Sequence, residues 1–535
     1  MLGSCWTANS SSIPAKYLNQ EPNNIYKNKM KTQALRTLAQ ITVATTLSAI
    51  AFAVPATQTG TDGNVVIKAG KVITLSGETI ENGTILIEGG RITAVGKDIK
   101  YPWSAEVKEF PDAVAFPGFV EALTNSGMDS ANENIDVAAF LNVKDSIDPV
   151  NFYYEDALRA GITTINVQQG RDCVIGGRGY VVKPTGMTVE EMTVRPNSGI
   201  AISAVPKRNK SRATQAFALR RAFDDLRRYL DEVVEEKRDG KDLATREALY
   251  QGREPDEETS KGRAMGGDSW KVEDLQLIPR WEIDEKQAPV LDMVEGKIPA
   301  FFYCGSPADV HTAISVAKEN GFLKRTTLVL SGDCWKAADA IAANKVPVIL
   351  SGSVVYLERD PVTGEEIETF VPGVFQSKGV EFALLSGSSS TQALWYQAAL
   401  CVGQGMTREQ AIAAVTTTPA RLIGLEKRVG TLEPGKDGNV VIFSGDPLSV
   451  TSHVEMVVIE GNEVYDRATD VRVRHLSTGE QPASTAPEGD LEGKPHDHPD
   501  PEEVKEDKTD EGENEEAEEG DDDEHEDHDD DKKGN

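Results

Sequence analysis

The chain has 535 residues, with 87 acidic against 56 basic side chains and a formal net charge of −31. This length exceeds that of one ordinary domain, so we expect at least two folded units and additional tails. So acidic a chain is a poor partner for nucleic acid or for an anionic membrane surface, and we expect it to bind neither.

Residues 1–53 are typical of an N-terminal extension followed by a signal peptide. A basic region that ends at Arg36 precedes an apolar, small-residue run over 38–54. Ala51-Phe52-Ala53 has the form of a signal-peptidase site, so we expect export to the periplasm or the extracellular space, with Met30 as the true start. A membrane anchor is the alternative, but the run is short for a span. We therefore expect no membrane span in the mature form.

Residues 62–113 alternate apolar and polar side chains between turn signals. The pattern predicts four short strands, at 65–67, 71–75, 84–87 and 91–95. Such a meander needs a second apolar layer to cover it. The β-branched runs at 438–443 and 454–459 near the other end of the chain supply one. We therefore predict a small β-sandwich split between residues 62–113 and 426–470.

Residues 114–425, between the two halves of the predicted sandwich, alternate strand and helix patterns. Strands are predicted at 161–167, 300–303, 327–330, 346–350 and 381–385, and helices at 154–160, 309–319, 336–343 and 391–402. This alternation is typical of a parallel sheet, and the segment is long enough for an eight-fold barrel. The surplus lies at 205–275, where an amphipathic helix from Leu219 to Val233 and a polar stretch at 235–267 predict a surface excursion or a lid.

The predicted sandwich and barrel meet at Phe116-Pro-Gly-Phe119. Pro117 fixes φ and Gly118 permits many values of φ, so the pair predicts a sharp turn into the first barrel strand. Barrel sites form at the C-terminal ends of the strands. The polar and thiol side chains expected at or just past those ends are Asn125, Asp129, Tyr303, Cys304, Asp333, Cys334, Ser386 and Ser388.

Cys304 and Cys334 end strands that we expect to be neighbours. Their positions are compatible with four interpretations: a disulfide, a nucleophilic thiol, a thiolate metal site or two unrelated thiols. The last interpretation is favoured. The interpretation as a nucleophilic thiol is disfavoured, because no histidine is available to act as its base. Cys173 and Cys401 are widely spaced, without a scaffold pattern, so the disulfide pairing of the four cysteines is left open. The glycine-rich run at 174–179 is interpreted as a loop near the barrel mouth. Its glycines would allow another group to approach the loop backbone closely.

Residues 476–535 are predicted to form a disordered acidic tail. From Glu488 to the C-terminus there are 25 acidic residues against 5 lysines, and four of the seven histidines of the chain lie there: His496, His498, His525 and His528. Such a segment offers too little apolar surface to offset the entropy of ordering it. Solubilisation is the favoured role, and weak capture of divalent cations by carboxylates and imidazoles is the alternative.

Several stretches resemble the amidohydrolase superfamily of metal-dependent barrel hydrolases. They are Thr418-Pro-Ala-Arg-Leu-Ile-Gly-Leu425, Arg428-Val-Gly-Thr-Leu-Glu-Pro-Gly-Lys-Asp437, Gly445-Asp-Pro-Leu448, residues 65–95 with Phe116-Pro-Gly-Phe119, and Ala160-Gly-Ile-Thr-Thr164. The glycine-rich run at 174–179 and the stretch at 195–208 are similar to an exported subgroup. The resemblance covers residues 62–470. It implies an α/β fold, a (β/α)8 TIM-type barrel (residues 114–425) inserted in a small split β-sandwich.

The resemblance also implies a metal site with two histidines from strand 1, one each from strands 5 and 6, and an aspartate from strand 8. The matching positions here include Leu123, Asn125 and Gly387, and His311 is the one histidine between residues 54 and 452. Leucine has no lone pair and asparagine is a poor zinc ligand. We therefore expect no metal in the barrel and no cofactor, with a divalent metal only if the protein is an active hydrolase.

Two functions remain open from the sequence. The chain is either a degenerate, exported amidohydrolase-like protein that binds a small molecule or a protein partner, or an active hydrolase of carbon–nitrogen bonds in amides or peptide-like compounds, with a non-standard site. A third option makes the acidic tail the functional part and the barrel its carrier. The sequence specifies neither the ligand nor the oligomeric state, and a homo-oligomer is left open.

Overall fold

The computed structural model describes residues 63–238, 269–271, 277–387 and 393–479. The N-terminal extension, the signal peptide and most of the polar stretch at 235–267 lie outside these residues, as do Ser388 and the acidic tail with His496, His498, His525 and His528. All described residues belong to one unit. Within them, no helix is both long enough and apolar enough to cross a membrane.

The strands of the described residues are numbered in chain order. They are β1 (Val65–Val72), β2 (Ile80–Glu88), β3 (Arg91–Gly96), β4 (Glu106–Phe116), β5 (Phe119–Thr124), β6 (Ile162–Val167), β7 (Ile175–Arg178), β8 (Tyr180–Val182), β9 (Thr193–Arg195), β10 (Ile200–Ser203), β11 (Ser269–Lys271), β12 (Leu277–Pro279), β13 (Ala300–Cys304), β14 (Thr326–Leu330), β15 (Val348–Leu350), β16 (Val355–Arg359), β17 (Glu366–Phe370), β18 (Phe382–Leu384), β19 (Val440–Phe443), β20 (Val454–Ile459) and β21 (Asn462–Asp466).

The α-helices of the described residues are numbered in the same way. They are α1 (Phe152–Arg159), α2 (Val189–Met192), α3 (Arg212–Arg238), α4 (Ala288–Val294), α5 (Pro307–Glu319), α6 (Ala338–Asn344), α7 (Val371–Ser377), α8 (Leu394–Gly403), α9 (Arg408–Ala413), α10 (Thr417–Leu422) and α11 (Val471–Thr478). Short 3₁₀ turns lie at Val143–Ser146, Arg280–Glu282, Leu323–Arg325 and Cys334–Ala337.

The first and last strands of the described chain share one seven-stranded sheet. Its strand order is β21-β20-β19-β4-β1-β2-β3. β19 pairs antiparallel with β4, with Val441 opposite Phe116, and this pairing joins the two ends of the chain. Alternate β-branched residues of β1, β2, β19 and β20 form one buried cluster that includes Ile67, Ile85 and Ile442. The period-2 pattern of these segments thus buries one set of side chains, as expected for strands.

Two features of this sheet differ from the sequence prediction. In place of the two strands predicted at 65–67 and 71–75 there is a single strand, β1, which ends at Val72 and whose register against β4 shifts after Ala69. β4, which begins at Glu106, was not predicted as a strand. Its first half is mostly exposed and contains Pro111, so the apolar alternation there is weak.

The residues between these strands form mixed α/β structure with two further large sheets. One has six strands in the order β18-β15-β14-β13-β10-β7, and the other has four in the order β5-β6-β8-β9. β10, β13, β14, β15 and β18 pair parallel to one another. Helices α5, α6, α7 and α8 alternate with β13, β14, β15 and β18 along the chain, which confirms the predicted strand–helix alternation in this segment.

The six- and four-stranded sheets face a common apolar interior. One buried cluster combines Val120 of β5, Val181 of β8, Phe301 of β13, Val329 of β14 and Ala383 of β18. The chain just before α10 also contacts both sheets. Val415 O accepts from the β5 backbone at 3.0 Å, and Ala414 O accepts from the β18 backbone at 3.0 Å. The arrangement is a barrel-type α/β fold.

The predicted sharp turn between β4 and β5 is confirmed. Gly118 has φ +82°, and a Cβ at this position would lie 2.5 Å from the Thr163 side chain, so the turn requires glycine. The rings of Phe116, Phe119 and Phe443 pack together with centroids 5.2 to 6.0 Å apart. This aromatic group lies where the seven-stranded sheet continues into β5.

The long amphipathic helix predicted after residue 205 is also confirmed. α3 buries Leu219, Phe223, Leu226 and Leu230, the face identified from the helical spacing. The Phe223 ring stacks on Phe322, with centroids 5.5 Å apart. Because the polar stretch after α3 lies outside the described residues, the lid stays a prediction.

A buried ion cluster connects β8 with the chain around β19 and β20. Lys183, whose side chain is 3% exposed, places its Nζ 2.6 Å from Asp437 and 2.5 Å from Glu460. Arg428 adds a contact of 2.8 Å to Asp437. Burial alone would raise the pKa of Asp437, but the charges of Lys183 and Arg428 and their hydrogen bonds lower it. The ionised carboxylate is therefore the stable form at neutral pH.

Candidate functional site

The C-terminal ends of the barrel-type strands surround a cavity of about 600 Å³. Many wall residues lie at or just past strand ends, whereas others, such as Asp156 and Ala157 of α1 and Leu394 of α8, come from helices. The polar part of the lining is Thr124, Asn125, Ser126, Tyr153, Asp156, Arg171, Tyr303, Ser331, Ser351 and Ser386. Parallel strands direct their carboxyl ends to one edge, which is why positions far apart in sequence meet here. The volume is within the range of small-molecule sites.

The floor of this cavity is apolar. Leu123, Val329 and Leu385 line it, together with the thiol of Cys304. Leu123 is only 2% exposed and belongs to the interior cluster that joins the two sheets. A ligand would therefore meet hydrocarbon at depth and polar groups around the mouth.

The structure brings together some of the residues singled out from the sequence. Asn125, Tyr303, Cys304 and Ser386 line the cavity, as do Leu123 and Gly387 from the metal-ligand-like positions. These placements agree with strand ends that converge on one edge. Ser388 lies outside the described residues.

Asp129, Asp333 and Cys334 are not among the lining residues of this cavity. After Asn125 the chain turns away at Gly127, φ +77°, which packs on Tyr154 and leaves Asp129 exposed. Asp333 lies 3.6 Å from Lys336 at the start of a 3₁₀ turn. Cys334 lines a smaller adjacent cavity of about 90 Å³. The expectation that these three belong to the same site is therefore corrected.

The side chains at the converged metal-ligand-like positions do not suit the metal that the family resemblance implies. Leu123 offers no lone pair, Gly387 has no side chain, and the strand ends between them present Tyr303, Cys304 and Ser331 in place of imidazoles. Within the described ranges, no three His, Cys, Asp or Glu side chains are grouped as a cation site. His311 lies on the exposed face of α5. The donor set does not fit a zinc-type centre.

The four cysteines of the described ranges are free and buried, so the structure contains no disulfide between Cys304 and Cys334. The Cys334 thiol instead donates to the backbone oxygen of Cys304 at 3.3 Å. Burial raises the pKa of Cys304 well above its ordinary value and that of Cys334 to about 12. Since the thiolate is the reactive form, neither thiol is prepared to act as a nucleophile or a metal ligand.

We predict that Cys173, Cys304, Cys334 and Cys401 resist alkylation by iodoacetamide at pH 7.5 in the folded protein. Burial raises the pKa of Cys173 and Cys401 to about 12 as well, so all four are protonated and shielded. Peptide mapping by mass spectrometry should show alkylation rates at least about a hundredfold lower than in denaturant. Rapid modification of Cys304 alone in the folded protein would instead identify an activated thiol.

The most unusual group near the cavity, Glu121, was not singled out from the sequence. It lies in β5 between apolar neighbours and is 0% exposed. Its Oε1 accepts from the backbone N–H of Ser386 at 3.2 Å, and its Oε2 has no hydrogen-bond partner within the described residues. Burial raises the pKa of this carboxyl to about 7. A charged residue inside a predicted buried strand was the signal that could have identified it.

Arg171 was also missed, because it lies in a loop without a recognisable motif. It follows Gly170 and lines the cavity mouth, where its side chain is exposed. Gly170 holds this backbone against Asn125, since a Cβ at 170 would lie 2.8 Å from Asn125 Nδ2. Arg171 and Asn125 are thus both exposed residues of the cavity lining.

The glycine-rich run at 174–179 does not have the location expected from the sequence. Most of it is strand β7, and it is not part of the cavity lining. The expected close approach exists, but it is to buried glutamines. Gly177 N–H donates to Gln169 Oε1 at 2.7 Å, and a Cβ at Gly179 would lie 2.0 Å from Gln168 Nε2. These glycines have a packing role away from the cavity.

Comparisons with known proteins agree with the resemblance noted from the sequence. The sequence profile of the Amidohydrolase family matches residues 391–465. Amidohydrolase tasK of Hapsidospora irregularis is 36% identical over 62 residues, which are 12% of this chain and 6% of that protein. A crystal structure of an amidohydrolase from Thermotoga maritima MSB8 is similar in fold, with a TM-score of 0.61 and 24% identity. That match covers 75% of this chain and 100% of the other. Together they support a relationship to the amidohydrolase superfamily and a barrel-type fold.

Proposed function

We propose that this chain is an exported amidohydrolase-like protein whose cavity binds a small molecule and has lost the metal-dependent hydrolysis of the superfamily. The observation that carries the proposal is Leu123. It occupies the position where the resemblance expects the first histidine ligand, and it is buried in the apolar interior at 2% exposure. A ligand-binding cavity of about 600 Å³ remains at the strand ends. Fold and family alone do not imply activity.

The proposal includes a closed (β/α)8 barrel carried by a split β-sandwich. Closure is supported by the backbone bonds from residues 414–415 to both β5 and β18, and by the interior cluster shared between the two sheets. The joining of the two ends of the chain in one small β-unit is supported by the single sheet that combines β1 to β4 with β19 to β21.

The alternative, an active hydrolase of carbon–nitrogen bonds with a non-standard site, has one supporting observation. Ser386 lines the cavity, and its backbone contacts Glu121, a carboxyl with a pKa of about 7. A group with such a pKa suits general-base chemistry at neutral pH. Against this, Glu121 is fully buried and is not among the residues that line the cavity.

Metal content and amide hydrolysis, measured on the same purified full-length chain, test the proposal. After dialysis, elemental analysis should find much less than one equivalent of zinc, manganese, nickel or iron. Hydrolysis of a panel of N-acyl amino acids and aryl amides should stay at the no-protein rate, with or without added zinc. A zinc-containing amidohydrolase assayed alongside is the positive control. A tail variant that ends at Gly479, and so lacks both the carboxylates and the histidines of the tail, separates metal held by the tail from metal held elsewhere.

One equivalent of transition metal retained by the tail variant would overturn the proposed loss of the metal site. Turnover above background that disappears in Ser386→Ala would favour the alternative hydrolase. Metal that is lost only in the tail variant would support the tail as the cation-binding part.

A further inference from the structure

The start of α3 and the loop before it form a basic surface on an otherwise acidic protein. Residues 205–223 contain six basic side chains and no acidic one, whereas the whole chain has a net charge of −31. We propose that this basic surface binds the acidic C-terminal segment of the same chain, residues 488–535, which lies outside the described part of the structure. The inference concerns the tail and does not depend on the proposed function.

The carboxylates that contact the basic surface do not neutralise it. Asp136 is the shared ion partner of Lys207, at 3.5 Å, and of Lys210. Asp225 is shared in the same way by Arg221, at 3.6 Å, and by a second arginine of α3. Because one carboxylate cannot balance two cations, a positive charge remains at each of these two places.

Two further arginines of the basic surface have no ion pair with any described residue. They are Arg208 in the loop and Arg220 on α3, and both are exposed. The first turn of α3 contains no acidic side chain, so the helix itself does not offset the positive end of its dipole. From Arg212 to Arg220 the helix rises about 12 Å. Charges spread over such a length suit an extended polyanion better than one small anion.

The chain leaves the described fold beside the cavity that the basic surface also borders. α11, the last described helix, contacts α1 through Arg472 and Asp156, whose charged groups are 2.8 Å apart, and Asp156 lines the cavity. Arg171 lines the same cavity, and the next residue, Asp172, accepts from the backbone N–H of Arg208 at 2.8 Å. The start of the tail and the basic surface therefore lie near one cavity.

The charge and length of the tail suit this surface. Its acidic residues begin at Glu488, nine positions after Gly479, and from there to Asn535 there are 25 of them against 5 lysines. A flexible chain of nine residues spans about 15–18 Å, and an extended one about 30 Å, so reach does not limit contact. Tethering gives such a segment an effective concentration in the millimolar range. Ion pairs that are individually weak can therefore act together.

Zero-length cross-linking of the full-length chain tests the inference. A carbodiimide joins a carboxylate to a lysine amine that it contacts, and peptide mapping by mass spectrometry identifies both residues. Lys210 reports on the basic surface. Lys345, an exposed lysine before β15 at the strand ends opposite the cavity, is the control. Cross-links from residues 488–535 to Lys210 should be at least about fivefold more abundant than those to Lys345, and should fall at least about fivefold in about 1 M NaCl, where charges are screened within about 3 Å. Cross-links within the tail, between its own lysines and carboxylates, confirm that the reagent has reacted.

A charge-neutralised variant identifies the surface that binds the tail. Arg208→Gln, Arg220→Gln and Arg221→Gln together keep the reporter Lys210 and should lower its cross-links to the tail at least about fivefold. Thermal melting, compared with the unsubstituted chain, confirms that each variant is folded. The matched control replaces three exposed basic residues outside the surface and should change nothing: Lys324→Gln, Arg325→Gln and Lys427→Gln.

Equal cross-linking of the tail to Lys210 and Lys345, or no cross-link from the tail to the rest of the chain, would overturn the inference. It also fails if neither salt nor the charge-neutralised variant lowers the cross-links, because charge is then not their cause. An equimolar mixture of ¹⁵N-labelled and unlabelled chains shows which chain supplies the tail. Binding within one chain gives cross-linked peptides of a single isotopic type. Mixed pairs as abundant as unmixed ones would assign the tail to a second copy and reject binding within the chain.

Discussion

Asp437→Asn should lower the free energy of unfolding by about 3–5 kcal/mol, because it leaves a buried ammonium without its closest fully buried partner. The Lys183 side chain is 3% exposed and lies 2.6 Å from Asp437, which is itself 2% exposed. The remaining carboxylate partner, Glu460, is 39% exposed and offers a weaker, more solvated charge. Equilibrium urea denaturation of the full-length chain at pH 7 measures the loss.

Two controls make this prediction specific. Glu109→Gln removes an exposed partner of Lys68 and should leave the free energy of unfolding nearly unchanged, as is usual for exposed pairs. The double variant Lys183→Met with Asp437→Asn should cost less than the sum of the two single variants, because the lysine charge is removed with its partner. A loss below about 1 kcal/mol for Asp437→Asn would show that the cluster contributes little.

Glu121→Gln should remove a pH dependence of stability near neutrality. The carboxyl of Glu121 has an ordinary pKa of 4.5 and a pKa of about 7 in the folded protein, where burial raises it. Between these values the folded state holds a proton that the unfolded chain has released, so stability falls as pH rises through this window. The loss reaches about 3 kcal/mol and is complete above the folded pKa. Tyr153, the titratable group facing Glu121 from α1, has a pKa raised well above its ordinary value by burial and stays neutral.

Urea denaturation at pH 5 and pH 8 measures this effect. Glu121→Gln keeps an oxygen that can accept from the Ser386 N–H, so the variant should exceed the unsubstituted chain by less than about 1 kcal/mol at pH 5 and by about 3 kcal/mol at pH 8. Asp129→Asn, an exposed carboxylate after the same strand, should leave the difference between the two pH values unchanged. An equal effect of both variants would show that Glu121 titrates normally.

The strand–helix alternation was readable from the sequence because it depends on local periodicity. Val454–Ile459 was predicted with its observed bounds, and α3 buries the face that its spacing identified. β4 was missed, since its exposed first half, which contains Pro111, has little alternation to read. In the site, Asn125, Tyr303, Cys304 and Ser386 were found because they end predicted strands. Arg171 was not found, because it lies in a loop, where the sequence has no periodic pattern of apolar residues.

By itself, the sequence determines which side chains exist to do chemistry. With one histidine between residues 54 and 452, no register of these strands can assemble a multi-histidine metal site. Only the tertiary structure decides how the remaining groups behave, since burial and proximity depend on residues far apart in the chain. The Glu121–Ser386 contact spans 265 positions and the Lys183–Asp437 pair spans 254. Local patterns cannot report a pKa of about 7 or a buried ion pair, because both arise from the packing of distant segments.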